Sequence, residues 1–195
     1  MPTNVRFQVD PATGGTIIPV HSKRYPGSAI IVDAADVAFV VANRWSVSMV
    51  QKPDTAAERR KFYAIRKDRV DGRNRTVYLH RALLGVTDRR IQVDHENQNG
   101  LDCRRENMRI ATRQQNAQNR RGNVGTSSRF KGVCWHKRYG KWQASITHNN
   151  RQIYLGLFAD EIDAAMAYDA KARELFGDFA CLNFADDQDA RKDAA

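Results

Sequence analysis

Residues 93–119 decide the fold of this chain, and their sequence is VDHENQNGLDCRRENMRIATRQQNAQN. The alternation of residues 91–95 predicts a strand, and the Asn-Gln-Asn-Gly cluster at 97–100 predicts a turn or loop. Residues 108–110 predict a short return strand, and the capping box Thr112-x-x-Gln115 predicts the start of a helix. The predicted order of elements is therefore strand, loop, strand, helix.

Three polar residues of this stretch carry its candidate chemistry. His95, at the end of a strand, and Asn116, one turn into a helix, can face each other across a small cleft. Asp94 and Asn116 offer oxygen ligands, which suit Mg²⁺ or Mn²⁺ better than zinc. His95, with an ordinary pKa of about 6.5, can take a proton from an attacking water near neutral pH. Because adjacent strand residues point to opposite faces, Asp94 and His95 share a site only where the strand ends or bulges.

The residue types alone leave a structural interpretation open. A His beside an Asp more often forms a structural hydrogen bond than a catalytic pair, and two Asn residues in a helix more often mark an exposed face. His80 and Arg81 precede this stretch and can approach the same site, but packing between a hairpin and a helix is the favoured role for them.

Residues 93–119 resemble the HNH (ββα-metal) nuclease motif of phage-type and homing endonucleases. The resemblance rests on Asp94-His95, the Asn99-Gly100 loop, Arg105-x-Asn107-Met108-Arg109 and the Gln-Asn of the helix. It implies that Asp94 and Asn116 bind one divalent ion, Mg²⁺ or Mn²⁺, and that His95 is the general base. Asn107 joins the catalytic set by bracing the loop over the helix. Asn116 stands where the family name has its second His, and Cys103 stands where related sequences usually have Asn.

The charge of the chain is concentrated around this motif and after it. The 195 residues carry 32 Lys and Arg against 22 Asp and Glu, a net charge of +10. Residues 107–159 contain no Asp or Glu but ten Lys and Arg, interleaved with Trp135, Tyr139, Trp142 and Tyr154. This pattern favours binding to a nucleic-acid phosphate backbone over an ordinary solvated face.

The C-terminal block predicts a small sheet backed by a helix. Residues 131–137, 141–148 and 151–158 alternate as strands, and a helix follows from Asp160 to Gly177. We expect the apolar stripe of the helix to be buried by packing on one face of the sheet. The other face is then expected to be free and basic.

Residues 128–184 resemble the apetala/ethylene-response-factor type DNA-binding domain through FKGVCWHKRYGKWQASI, YLGLF, AAMAYDAKARELFG and ACLNF. The resemblance implies that the sheet lies in the major groove of double-stranded DNA. Arg113 and Arg120, on the same helix face as Asn116, are predicted to flank the nuclease cleft. The other predicted DNA-binding residues are Arg129, Lys131, Trp135, Lys137, Arg138, Tyr139, Lys141, Gln143, Arg151 and Tyr154.

The N-terminal region has weaker signals. Residues 1–27 predict an irregular lead-in, residues 29–32 a strand, and Asp33 or Asp36 the cap of a helix that runs to Trp45. Residues 51–60 form a polar insertion. Residues 61–67 and 75–80 predict a hairpin around Asp71-Gly72, followed by a short helix that ends at Gly85.

Cysteine usage and hydropathy exclude other classes. Cys103, Cys134 and Cys181 are odd in number and far apart, which excludes a disulfide framework and a CxxC zinc knuckle. The apolar stretches are too short to span a bilayer and the N-terminus lacks an apolar signal segment, so no membrane partner is expected. A cytoplasmic protein, encoded by a phage or mobile element in a bacterial host, is the expectation.

The sequence thus predicts an α+β protein: a small N-terminal α+β region, a ββα-metal motif, and a three-stranded antiparallel sheet packed on one helix. The predicted boundaries are 1–88, 89–122, a linker at 123–127, 128–184 and a tail at 185–195. The predicted function is a metal-dependent DNA endonuclease. The alternative is a catalytically inactive DNA-binding regulator. The sequence leaves open whether the chain nicks DNA or cuts both strands, and whether it is a monomer or a homodimer.

Overall fold

The computed structural model of the chain describes residues 7–50, 60–122 and 126–184. It divides into two compact units, Met1–Arg113 and Gln114–Ala195, and each is described by itself. Helices and antiparallel sheets occur together in the chain, which confirms the predicted α+β class. The predicted tail, the core of the linker at 123–125, and nearly all of the polar insertion lie outside the described residues.

Within its described residues, the first unit contains three small sheets and two short helices. Its sheets have the strand orders β1-β2-β3, β4-β5-β6 and β7-β8, and every pairing within them is antiparallel. The elements are β1 (Gln8–Val9), β2 (Thr16–Pro19), β3 (Ala29–Val32), α1 (Val37–Val41), β4 (Ser46–Met49), β5 (Phe62–Val70), β6 (Arg73–Tyr78), α2 (Leu79–Leu83), β7 (Gln92–His95) and β8 (Met108–Ala111). Short 3-10 turns precede α1 and β8, at Ala34–Asp36 and Arg105–Asn107.

The N-terminal lead-in is more ordered than the sequence predicts. β1 and β2 pair with the predicted strand β3, so part of residues 1–27 belongs to a sheet. β1 has only two residues, and β2 lies between the Gly14-Gly15 pair and Pro19, which are turn signals, so neither shows a recognisable strand pattern. The prediction of an irregular lead-in was therefore wrong for residues 8–9 and 16–19.

The helix predicted to reach Trp45 is shorter than expected. α1 ends at Val41, and neither Asp33 nor Asp36 caps it with its side chain. Instead, Asp36 accepts hydrogen bonds from Arg105, Nε to Oδ2 at 3.1 Å and Nη2 to Oδ1 at 2.8 Å. The Asp33 Oδ2 accepts one from the backbone N–H of Arg105 at 2.8 Å. Both carboxylates therefore hold the segment before β8 rather than a helix end.

The hydrophobic core of the first unit joins distant parts of the chain. Ile30, Val32, Val40 and Leu79 have at most 1% of their surface exposed, and Cys103 packs into the same cluster. The core thus contains β3, α1, α2 and the loop between β7 and β8, so the β7-β8 hairpin is built into the unit.

The second unit has the architecture that the sequence predicts. β9 (Val133–His136), β10 (Lys141–His148) and β11 (Arg151–Phe158) form an antiparallel sheet with β10 in the centre, and α4 (Glu161–Phe176) follows. The Asp160 Oδ1 caps α4 by accepting a hydrogen bond from the Ile162 N–H at 2.6 Å. The short helix α3 (Arg113–Gln118) begins at the last residue of the first unit.

A buried carboxylate on α4 binds the C-terminal segment of the second unit. Asp169 on α4 accepts hydrogen bonds from the backbone N–H groups of Asn183 and Phe184, each at 2.9 Å. The Asn183 side chain bonds both main-chain groups of Lys131, accepting from its N–H at 2.6 Å and donating to its carbonyl at 3.1 Å. The segment after α4 is thereby tied to the residues that precede β9.

Candidate active site and nucleic-acid interface

The β7-β8 hairpin positions the Asp-His pair. Asp94 lies opposite Arg109 and His95 opposite Met108, and β7 ends at His95. The Glu96 N–H then donates to the Asn107 carbonyl at 2.9 Å, which starts the loop. His95 is therefore the last strand residue, the position at which a strand can bring two adjacent side chains into one site.

Asp94 is neutralised by a guanidinium. Its Oδ2 accepts hydrogen bonds from Arg109 Nε at 3.0 Å and from Nη2 at 2.9 Å, and its side chain is buried. Arg109 Nη1 also lies 3.6 Å from Glu96 Oε2. Pairing with a cation offsets the cost of burying the carboxylate, and a metal ion at Asp94 would share the carboxylate with Arg109.

Asn107 braces the loop that follows His95. Its Oδ1 accepts a hydrogen bond from the Asn97 N–H at 3.0 Å, and its Nδ2 donates to the Asp102 carbonyl at 2.8 Å. The Asp102 carboxylate accepts from Arg104 at 2.9 and 2.8 Å, and from Asn97 Nδ2 at 2.7 Å. The bidentate Asp102–Arg104 pair is almost completely buried, so it makes the loop rigid. Asn107 acts on His95 through this loop.

The same loop docks on two strands of the first unit. The Ile31 N–H donates to the Leu101 carbonyl at 2.9 Å, and the Cys103 N–H donates to the Ile31 carbonyl at 2.8 Å. A Cβ added at Gly100 would lie 2.4 Å from the Phe62 carbonyl oxygen, so only glycine fits there. Burial raises the pKa of the Cys103 thiol to about 12, which makes it an unreactive core residue.

His80 joins the site from the start of α2. Its ring lies 5.0 Å from the ring of His95, nearly perpendicular to it, and the ring of Tyr63 lies 5.3 Å from His80 and 5.8 Å from His95. His80 is buried, and its Nδ1 has no hydrogen-bond partner among the described residues. The sequence favoured a packing role for His80. The available signal was a His-Arg pair directly after a strand of the neighbouring hairpin.

Burial keeps both imidazoles neutral. Burial, together with the nearby His95 and Arg81, lowers the pKa of His80 to about 3. It lowers the pKa of His95 to about 4, although Asp94 and Asp102 act in the opposite direction. A neutral imidazole has a lone pair that can accept a proton, so His95 is in the form that a general base requires at pH 7.

The first unit should lose stability in mild acid. Between pH 3 and 6.5 the unfolded chain protonates His80 and the folded chain does not, so the free energy of unfolding falls as the pH falls. From pH 7 to 5 the loss is about 2 kcal/mol for one such histidine. Urea unfolding at both pH values should show wild type losing about 2 kcal/mol more than His80→Gln. Equal losses would show that His80 is not held neutral.

The predicted metal ligands have suitable chemistry. Asp94 and Asn116 supply hard oxygen donors, and Mg²⁺ commonly takes only one or two protein ligands and keeps several waters. Within the described residues no group of three or more His, Cys, Asp or Glu side chains is placed to hold a metal. Asn116 is half-buried on α3 and belongs to the second unit, as does the exposed Arg120, while the exposed Arg113 ends the first.

The second unit presents one open face of its sheet. Trp142 and Ala144 pack in the cluster against α4, and Ile146 packs in a second one there, so the alternate residues of β10 point away. The strand register extends this surface to β9 and β11. We call it the sheet face; it consists of Cys134, His136, Lys141, Gln143, Ser145, Thr147, Gln152, Tyr154 and Leu157.

The predicted DNA-binding residues are divided between several places. Lys141, Gln143 and Tyr154 lie on the sheet face, and Tyr154 is 59% exposed. Lys137, Arg138 and Tyr139 form the β9–β10 turn, where the Arg138 guanidinium lies 5.6 Å from the Tyr139 ring centroid. Arg129 is exposed ahead of β9. Thr147 and Gln152 belong to the sheet face but were not predicted, although the two-residue alternation from Lys141 points to Thr147.

Three predicted residues lie elsewhere. Lys131 Nζ donates to the Gln118 carbonyl at 2.6 Å, and burial lowers the pKa of this lysine below its ordinary value. Trp135 pairs with Trp142, with ring centroids 5.0 Å apart, on the side that faces α4. Arg151 lies opposite His148, whose ring packs against Phe176 of α4. Lys131, Trp135 and Arg151 are therefore not on the sheet face.

The sheet face is polar rather than basic. Lys141 is its one Lys or Arg; Lys137 and Arg138 lie in the β9–β10 turn, and Arg129, Lys131 and Arg151 lie elsewhere. The expectation of a basic face was wrong because strand register sends several of the cations to the other side or to the turns. A nucleic acid would meet positive charge at one end of the sheet and neutral side chains along it.

None of the helices in residues 7–50, 60–122 and 126–184 combines the length and hydrophobicity that crossing a bilayer requires.

Comparison with known proteins gives relatives of two kinds, and no family model matches the chain. The "APETALA2-like protein 2" of Oryza sativa subsp. indica is 40% identical over 65 residues, 33% of this chain and 15% of that protein. The "AP2-like ethylene-responsive transcription factor PLT2" of Arabidopsis thaliana is 41% identical over 85 residues, 40% of this chain and 15% of that protein. The "Uncharacterized HNH endonuclease L560" of Acanthamoeba polyphaga mimivirus is 38% identical over 93 residues, 48% of this chain and 47% of that protein. The chain thus spans less than half the length of each of these relatives, and it is similar to AP2-like transcription factors and to an HNH endonuclease.

Proposed function

We propose that the chain is a metal-dependent endonuclease that hydrolyses phosphodiester bonds of double-stranded DNA, with affinity for DNA supplied by the second unit. The observation that carries the proposal is the neutral imidazole of His95 at the end of β7, beside Asp94 and against His80. Similarity to a viral HNH endonuclease over 93 residues supports it.

In this mechanism His95 accepts the proton of the water that attacks phosphorus. The bond from phosphorus to the 3′ oxygen breaks, which leaves a 5′-phosphate and a 3′-hydroxyl. Asp94 would hold one Mg²⁺ or Mn²⁺, which when bound stabilises negative charge on the phosphoryl and leaving oxygens.

The surrounding residues hold His95 in place. The Asn107 brace and the Asp102–Arg104 pair fix the loop that begins directly after it. The rings of His80 and Tyr63 pack around its imidazole, which limits its rotation. Arg109 fixes the orientation of Asp94. A general base that is held in this way needs little reorganisation when the substrate arrives.

For DNA binding we propose that the β9–β10 turn contacts phosphates and that the sheet face lies against the bases. Lys137 and Arg138 supply positive charge in the turn, and Tyr154 supplies an exposed aromatic ring on the sheet face. Gln143 and Ser145 add side chains that can both donate and accept hydrogen bonds, as reading of base edges requires.

The two kinds of interaction differ in their dependence on salt. Arg138→Gln should reduce the magnitude of the slope of log K against log salt by about 0.9, because the protein then neutralises one phosphate fewer. Tyr154→Ala should weaken binding and leave the slope unchanged, since a neutral ring displaces no counterions. Equilibrium titrations of duplex DNA from about 50 to 200 mM salt measure both. An unchanged slope for Arg138→Gln would place the phosphate-binding residues elsewhere.

The function itself is tested by incubating the chain with supercoiled and long linear duplex DNA in the presence of Mg²⁺ or Mn²⁺. We expect nicked or linear products that excess chelator abolishes. Similarity to plant transcription factors favours a second candidate, a DNA-binding regulator that does not cleave. Tight binding of duplex without any cleavage in Mg²⁺ or Mn²⁺ would establish that candidate and refute the first.

A further inference from the structure

The first unit contains a groove that neither the catalytic residues nor the sheet face uses. It runs between the edge of β6, the outer side of α2 and residues 85–89, with a volume of about 770 Å³. β6 is the edge strand of its sheet, so its outward backbone groups face the groove. We refer to it as the β6 groove. We propose that the β6 groove binds the sugar-phosphate backbone of the duplex DNA that the chain cleaves.

Charge is the first argument for this partner. Among the described residues, the lining of the β6 groove contains four arginines and no acidic side chain; the arginines are Arg73, Arg75, Arg81 and Arg89. Two carboxylates close to it in the sequence are paired, Asp68 with Arg66 at 2.8 Å and Asp88 with Arg90 at 2.8 Å, and a third, Asp71, lies in the exposed turn before Arg73. A row of uncompensated guanidinium groups suits several phosphates of one strand rather than a single small anion.

The groove is also preformed. Arg81 donates to the carbonyl oxygens of Asp88 and Ile91, both at 2.7 Å, and so holds the segment that forms one wall. Carbonyl oxygens carry no net charge, so the positive charge of Arg81 stays available to a ligand. Arg73, Arg75 and Arg89 are exposed. Binding therefore requires ordering of these three side chains but no rearrangement of the wall.

The groove leads to the candidate active site. Tyr78 lines it, and the ring of Tyr78 lies 5.4 Å from the ring of His80. α2 carries His80 on its buried side and Arg81 on the groove side. A strand that lies in the groove passes close to the His80–His95 pair, which places the groove on the path of the substrate. The choice of DNA over another polyanion rests on the proposed function.

The test compares three variants of the full chain in binding to duplex DNA with chelator present, so that cleavage plays no part. The first is R73Q/R75Q/R89Q, which leaves the structural Arg81 intact. The second is R73K/R75K/R89K, which keeps the charge. The third is K23Q/R24Q/R44Q, which removes three exposed cations of the same unit outside the groove.

We expect R73Q/R75Q/R89Q to reduce the magnitude of the salt slope by about 2.7, which is about 0.9 for each phosphate that is no longer neutralised, with weaker binding at every salt concentration. The lysine variant should keep a slope close to that of wild type, and the K23Q/R24Q/R44Q control should change it by less than one. Equal effects of the two glutamine variants would overturn the proposal, since net charge alone would explain them. So would an effect on heparin or single-stranded RNA without an effect on duplex DNA.

Nicking of DNA by the wild type is measured in parallel with Mg²⁺. If the slope falls as expected and the wild type does not nick DNA, the groove stands as a DNA-binding site and the proposed nuclease function fails. If the wild type nicks DNA and the slope does not change, the groove proposal fails and the nuclease stands.

Discussion

Replacing His95 with alanine is expected to reduce the rate of DNA cleavage at least ~100-fold, the usual cost of losing a general base. Affinity for duplex DNA should change little, because His95 is buried and the proposed phosphate-binding groups lie on other residues. The measurement is single-turnover nicking at saturating enzyme and Mg²⁺, with affinity determined separately in chelator.

Two further variants make this result specific. His95→Gln keeps most of the side-chain volume and should be as inactive as the alanine variant, which separates loss of the base from a packing defect. His21→Ala changes an exposed histidine of the same unit and should cleave at the wild-type rate. A rate close to that of wild type in His95→Ala would remove His95 from the mechanism.

Replacing Gly132 with alanine is expected to destabilise the second unit by about 3 kcal/mol or more, through steric overlap and an unfavourable backbone conformation. Gly132 has φ +79°, and a Cβ there would lie 1.9 Å from the Tyr168 ring and 2.8 Å from the Ser145 carbonyl oxygen. Tyr168 is buried on α4 and Ser145 belongs to the central strand, so neither moves without separating helix and sheet.

Hydrogen–deuterium exchange measures the loss of stability in each unit separately. Amides of β10 should exchange about 100-fold faster in Gly132→Ala, while those of β5 should not change. Gly140→Ala is the matched control, because Gly140 also has positive φ, +58°, but a Cβ there meets nothing within 4 Å. Gly140→Ala should lower the free energy of unfolding by about 1 kcal/mol. Similar effects of the two substitutions would show that Gly132 and Tyr168 do not approach each other closely.

The second unit was largely predictable because its signals are local. Three strands with two-residue alternation, a capping Asp160 and a terminal Gly177 define its elements without knowledge of tertiary structure. The side of the sheet on which each side chain lies was less predictable. Trp135 and Lys141 both lie in basic, aromatic sequence, yet the register places them on opposite sides of the sheet. Alternation within β9 from Val133 places Trp135 on the core side, whereas the side of Lys141 depends on its pairing with His136 across the turn.

The candidate site was predictable in its strand and not in its surroundings. Asp94 and His95 at the end of β7 follow from the sequence of elements, and so does the loop closed by Asn107. The packing of His80 against His95 depends on how α2 docks on the core, which no local pattern reports. β1 was missed because two residues hold too few side chains to show a period, and β2 because the Gly14-Gly15 pair before it and Pro19 at its end are turn signals.

The backbone hydrogen bonds between Ile31 and the loop residues Leu101 and Cys103 determine how long a segment must be for the hairpin to be transferred to another protein. The loop of the β7-β8 hairpin forms hydrogen bonds with the backbone of Ile31, about seventy residues earlier in the chain. The buried side chain of Cys103 completes the core around that earlier strand. Recombination that inserted residues 89–122 into a new host protein would leave those backbone groups without partners. A segment exchanged together with this hairpin would therefore have to include Ile31, and the boundary between the two units lies near α3.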